Sequence, residues 1–168
     1  MEKTPVLVDT NILSTFAKIK RLELLFKIMD RGELYISTSV LHELDIAENI
    51  GYDFVQTIFD YIDKERISIL SMDDEESDLF LNLPDSFGRG ERESVAISKS
   101  RDYIFVSNET RVKNYCDRND IDFVDLPTLL RRAWKVGLKE KETVKKIVEK
   151  IENKDNIIFK DRSIIFEE

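Results

Sequence analysis

Two short apolar runs, each halted by polar residues, constrain this chain more than anything else in it. Thr4-Pro5-Val6-Leu7-Val8 is followed by Asp9-Thr10-Asn11, and Tyr103-Ile104-Phe105-Val106 is followed by Ser107-Asn108-Glu109. Both runs are continuous rather than alternating, the pattern of strands covered on both faces. Such strands belong to parallel sheets, whose crossovers are helices. The segments around them fit. Ile12, Leu13 and Phe16, then Ile19, Leu22, Leu25, Phe26 and Met29, recur at helical spacing. Asp30-Arg31-Gly32 ends that stretch, with Gly32 expected in the left-handed cap.

The same alternation continues along the chain. Residues 33–36 read as a brief strand, and Ser39 is expected to cap a helix carrying Val40, Leu44 and Ala47 on one face. Residues 51–65 form a helix and 67–70 a short strand or extended exit. Asp73-Asp74-Glu75-Glu76 looks like the solvated polar start of a helix that Pro84 ends. Residues 122–124 read as an outer strand, 127–136 as a helix stopped by Gly137, and 139–152 as a charged helix. Ile157-Ile158-Phe159 and Ile164-Ile165-Phe166 either pair as a hairpin, dock on the body or stay exposed to a partner. The expected architecture is α/β, a three-layer α/β/α sandwich with a mostly parallel central sheet. Strands 4–8 and 103–106 lie inside it, with 33–36 and 122–124 outside or between them. Residues 1–168 are expected to form a single domain, of which 139–168 are a C-terminal helix and tail extension.

Composition narrows the chemistry. One histidine, His42, among 168 residues excludes a histidine-based metal cluster within one chain, and the lone Cys116 excludes a disulfide framework. His42 reads as a surface or half-buried helix residue, with a histidine–carboxylate base as the alternative. No stretch reaches the roughly 20 apolar residues of a membrane span. The chain enters a strand pattern almost at once, so no secretory leader and a cytoplasmic location are expected. The formal charge of −8 is a poor match to nucleic acid as a whole, but a carboxylate cluster offset by bound cations would account for part of it.

The charge is suggestive in its placement. Asp9, Glu43, Glu91 and Glu109 each fall at a strand-to-helix junction or near a helix start. In a parallel sheet the strand C-termini share one edge, so residues far apart in sequence converge there. Each has a plain alternative: Asp9 as a helix cap, as Thr10 or Asn11 would be, and Glu43 as a solvated residue near a helix N-terminus. Gly88 and Gly90 shape an entry that aims Glu91 into a cleft, whereas Glu93 is expected to face solvent. Gathered carboxylates repel unless a cation compensates. With one His and one Cys, oxygen ligation of Mg²⁺ or Mn²⁺ is the natural choice.

Those segments resemble the PIN-domain family, including the toxin ribonucleases of prokaryotic toxin–antitoxin modules. The resemblance spans residues 4–126, with the later helices as an extension. Val6-Leu7-Val8-Asp9-Thr10-Asn11-Ile12-Leu13 is similar to the family's first motif and Val40-Leu41-His42-Glu43-Leu44 to its second. Gly88-Arg89-Gly90-Glu91-Arg92-Glu93-Ser94-Val95-Ala96-Ile97 resembles the Gly-Glu form of the third, and Phe105-Val106-Ser107-Asn108-Glu109 the fourth. In that last motif Asn108 stands where an aspartate is common, and Glu109 replaces a second one. The resemblance implies a metal-dependent endoribonuclease acting on single-stranded RNA. Asp9, Glu43 and Glu91 would hold Mg²⁺ or Mn²⁺, and Asn108 or Glu109 would help at a weaker second position. Arg89, Arg92 and Lys99 would neutralise flanking phosphates. It also implies a homodimer and a small antitoxin partner, for which the apolar faces of helices 10–30 and 51–65 and the C-terminal Ile/Phe segments are candidate surfaces. The alternatives are a PIN-like binding or assembly protein without turnover and a Mg²⁺-dependent phosphatase-like hydrolase with Asp9 as nucleophile. Asn11, standing where that chemistry wants a second aspartate, counts against the last.

Overall fold

Five parallel strands in the order β3-β2-β1-β4-β5 form one sheet in the computed structural model, which describes residues 2–168. In chain order the first half runs β1 (Val6–Val8), α1 (Thr10–Lys18), α2 (Leu22–Met29), β2 (Leu34–Ser37), α3 (Thr38–Ile50), α4 (Val55–Asp63), β3 (Ile67–Leu70) and α5 (Asp74–Leu81). It continues with α6 (Arg89–Arg101), β4 (Ile104–Val106), α7 (Thr110–Arg118), β5 (Phe123–Val124), α8 (Leu126–Lys135), α9 (Lys141–Asp155) and α10 (Ser163–Phe166). The two apolar runs are neighbours at the centre, with Val6 opposite Ile104 and Val8 opposite Val106. That register brings Asp9 and Ser107, each one residue beyond its strand, side by side.

Both faces of the sheet are covered, as continuous apolar strands require. Val6 and Val8 pack into one core with α1, α2, α3, α4, α8 and α9. Leu7 and Phe105 point the other way, into a second core with Val95 and Ile97 of α6 and Val112 and Cys116 of α7. The chain is therefore a three-layer α/β/α sandwich, and strand 33–36 proves interior, between β1 and β3. Burial raises the Cys116 thiol to about 12, so it is an inert packing residue.

Several local expectations are corrected. Asp9, not Thr10 or Asn11, caps α1, accepting from the Thr10 amide. Ser37 rather than Ser39 caps α3, accepting from Val40 N at 3.2 Å. The left-handed cap after α2 is taken by Asp30, not Gly32. The acidic run 73–76 is not wholly solvated: Glu76 is fully buried, ion-paired with Arg101 at 2.8 Å, and closes a capping box with Asp73. The tail makes no hairpin. It docks, with Ile165 fully buried and its carbonyl accepting from Trp134 Nε1 at 2.8 Å. The apolar stripes of α1 and α2, and Val55 and Ile58 of α4, are consumed by the chain's own core, so those faces are not free for a second copy.

Candidate acidic site at the sheet edge

Asp9 ends the central strand, and a strand end that starts a helix points its side chain over the sheet edge. It is 4% exposed. Its carboxylate accepts from Thr10 N and Ser107 Oγ, each at 2.9 Å, and at longer range from Asn11 Nδ2. Burial pushes its pKa up to about 7, with further upward push from the charges of Glu43 and Glu91; the bonds from Ser107 and Thr10 oppose the rise. Among the described residues no basic side chain is bonded to it.

Glu43 reaches the same edge from the second turn of α3 and accepts a hydrogen bond from Thr10 Oγ1. It lies against Gly90: a Cβ there would sit 2.6 Å from Glu43 Oε1. This contact, more than any turn, explains the glycine. Glu91 stands beside Gly90 in the first turn of α6, with Oε2 accepting from Gly88 N at 2.9 Å. Burial raises the Glu91 carboxyl above its ordinary value, and the charges of Glu109 and Glu43 add to the rise. Glu109 caps the start of α7 by position, its amide donating to Ser107 Oγ. Asn108 donates its backbone N–H to Asn11 Oδ1 at 3.2 Å.

The four sequence-predicted acids thus feel one another's charge at one edge of the sheet. Among the described residues no three His, Cys, Asp or Glu side chains are gathered closely enough to hold an ion as they stand. Glu43 is turned to Thr10 and Glu91 to Gly88. The donor set, all carboxylate and amide oxygen, suits a hard divalent cation. A cation there would also offset the repulsion that opposes ionisation of Asp9.

The basic candidates divide. Arg89 is exposed at the start of α6 and lines a cavity of about 610 Å³ with His42, Glu43 and Glu93. Arg92 turns aside: it stacks over the Phe80 ring, 4.3 Å from the centroid, and donates to the Phe80 carbonyl. Lys99 lies two turns further along α6, about 12 Å from Glu91. Glu93, expected in solvent, is 4% exposed and accepts from the Ser39 hydroxyl and amide. Helix α6 is packed against the sheet, α3 and α5, so little of it meets water.

Three residues of the site were not singled out from sequence. Ser107 and Asn11 are the neutral partners that fix Asp9 and Asn108. Arg111, exposed in α7, carries the positive charge that opposes the rise in the Glu91 pKa, and donates to the Ser86 carbonyl at 3.1 Å. Among the described residues no helix is long and apolar enough to cross a membrane. No curated protein matches the chain. A family model described as a PIN domain (DUF3368) matches residues 5–164, extending past the motifs through α8 and α9 into α10. With its acids converging on the edge where those motifs end, the chain belongs to the PIN-domain family.

Proposed function

We propose that this chain, which has the fold of a nuclease family, is a divalent-metal-dependent endoribonuclease that hydrolyses single-stranded RNA. One observation carries the reading: Asp9, buried at the end of the central strand beside Glu43 and Glu91, ionises less readily than an ordinary aspartate because of burial and of those neighbouring acids, with no basic side chain bonded to it among the described residues. A Mg²⁺ or Mn²⁺ ion held by Asp9, Glu43 and Glu91 would lower the pKa of a water for attack and stabilise charge on the phosphate. Ser107 and the Thr10 amide hold the Asp9 carboxylate in one orientation. Asn11 positions the Asn108 backbone, and Asn108 and Glu109 serve a weaker second position. Arg89 and Arg111, both exposed beside the acids, neutralise flanking phosphates; Arg92 and Lys99 are the less favoured contacts. Hydrolysis of this kind leaves a 5′-phosphate and does not use the 2′-hydroxyl as nucleophile.

The test is cleavage of a mixed panel of single-stranded RNAs with Mg²⁺, with Mn²⁺ and in EDTA, comparing wild type with Asp9→Asn. Cleavage by wild type that EDTA abolishes, and that Asp9→Asn lowers at least a hundredfold, is expected. Undiminished cleavage in EDTA or by the variant would sink the assignment. No cleavage, together with no calorimetric metal binding, would leave the binding-protein reading, which the neutral amide of Asn108 favours. The toxin role implied by the resemblance, with a homodimer and a small basic antitoxin entering the acidic cleft, belongs to the same reading. Light scattering tests the dimer, and a monomer at high micromolar concentration would count against it.

A further inference from the structure

Three cavities follow one another from Asn108 and Glu109 along α1 and past its end, each sharing at least one lining residue with the next, and together they make up a groove. The first, about 320 Å³, is lined by Asn11, Ser14, Thr15, Lys18, Asn108 and Glu109, with Asp155 and Ile157 opposite. Lys18 is shared with the second, about 780 Å³, which adds Lys20, Tyr52, Phe54 and Lys154. Lys20 and Thr57 are shared with the third, about 480 Å³, where Arg21, Lys27, Tyr61 and Lys139 converge. The floor of the first stretch is the polar face of α1, because Asn11, Ser14, Thr15 and Lys18 recur at i, i+3, i+4 and i+7. From Asn11 to Lys18 it covers about 10 Å.

The chemistry changes along its length. At the Asp9 end the lining is acid and amide. Further out, Lys18, Lys20, Arg21, Lys27, Lys139 and Lys154 line a protein whose formal charge is −8. Of these, only Lys18 has an ion pair among the described residues, with Asp155 at 2.6 Å. That bond, with one from Thr15 Oγ1, also neutralises the acid nearest the groove. Glu23 in the outer stretch is taken up by Arg66 and Tyr61. Asp53 and Glu109 are the remaining lining acids. Three aromatic rings sit among the cations, Tyr52, Phe54 and Tyr61, the last stacked on Phe26. Tyr52 is 54% exposed and lies 5.7 Å from Phe54, over whose ring Lys18 Nζ stands at 5.0 Å.

A groove of phosphate-neutralising cations around one exposed ring, Tyr52, backed by the half-buried Phe54, has the makings of a single-strand path: rings take bases by stacking, and ammonium groups follow the backbone. Resting on the proposed action on single-stranded RNA, we propose that this groove is the path of the substrate strand outside the cleavage site. Tyr52 and Phe54 form its base platform, and Lys20, Arg21 and Lys154 are its phosphate contacts. The groove recruits RNA that the acidic site alone repels.

The test uses the full chain carrying Asp9→Asn, so that binding is read without turnover, and fluorescent single-stranded RNAs of roughly 3 and roughly 12 nucleotides. Lys20→Gln/Arg21→Gln/Tyr52→Ala is expected to weaken the longer RNA about tenfold or more. It should lower the slope of log affinity against log salt by about 1.4, for two phosphates at about 0.7 each. Affinity for the short RNA should stay within about twofold, and Lys64→Gln/Lys146→Gln, changing exposed lysines away from the groove, should alter neither. A circular dichroism melt of each variant guards against misfolding. An unchanged affinity for the longer RNA, an equal loss from the control pair, or no RNA binding by the Asp9→Asn chain would overturn the proposal. Preference for polyglutamate over RNA would do the same and would assign the groove to an acidic protein. Binding with these losses but no cleavage by wild type would end the nuclease reading alone.

Discussion

Asp9 ties stability to pH in a direction opposite to most carboxylates. An ordinary aspartate titrates near 3.8, and this one near 7 in the metal-free protein. Between those values the folded chain keeps a proton that the unfolded chain has released. Stability from this group is therefore greatest at low pH, declines as pH rises through that window and levels off above it. Asp9→Asn, which stays neutral, should melt at an increasingly higher temperature than wild type from pH 4 to 7 in EDTA; a gap that narrows over that range would contradict the assigned shift. Gly90 gives a second residue-scale outcome. In Gly90→Ala the new methyl would sit 2.6 Å from Glu43 Oε1, so the carboxylate must move. Alanine is the better helix former by about 1 kcal/mol. RNA cleavage should fall at least tenfold while the melting temperature is kept or raised, and an equal loss of both would mean that Gly90 matters only for packing.

At the scale of elements, α5 and α6 are joined by one bidentate pair. Burial pushes the Glu76 carboxyl upward, but the bonds from Arg101 and the Asp73 amide more than reverse this, leaving its pKa below the ordinary 4.5. Its contribution is thus present above that value and lost as pH falls through its folded pKa. Glu76→Gln leaves Arg101 without its charged partner and should cost about 3 kcal/mol at pH 7, the low end for a broken buried pair because Arg101 reaches the surface. The deficit should shrink on acidification, and a urea titration at pH 7 and pH 3.5 would show whether it does. The one fully buried side chain of the last helix is Ile165, which works beside the bonds from Trp134 and Arg131. Ile165→Ala should cost about 2–4 kcal/mol by urea unfolding, and a loss under 1 kcal/mol would show that the tail is only loosely seated.

For the whole molecule, what was legible in the sequence was what is written locally. Uninterrupted apolar runs announced central strands, and the polar residues after them pointed to Asp9 and Glu109. Glu43 and Glu91 were read from helix starts, Glu91 behind Gly88 and Gly90, and the structure sets the four acids within reach of one another's charge. The Ser107–Asp9 bond was harder to foresee, because it depends on Val8 standing opposite Val106, a pairing set by the sheet and not by either segment. Glu93 misled for a related reason. A charged residue signals solvent only on a helix with a wet face, and α6 is enclosed by the sheet, α3 and α5. Arg92 was counted among the phosphate contacts because charge is visible in a sequence, whereas the nearby Phe80 ring that claims it is not.

The bonds that Thr15 and Lys18 donate to Asp155 reach across about 140 residues, from the helix that Asp9 begins to the end of α9. On a ribosome, Ser107 is made some hundred residues after Asp9, and Asp155 about fifty residues after Ser107. A growing chain therefore carries an unfinished cleft until α9 has emerged and the wall facing α1 can close. Maturation of this face follows the order of translation itself: the sheet edge can assemble before the wall that α9 gives to α1 is in place.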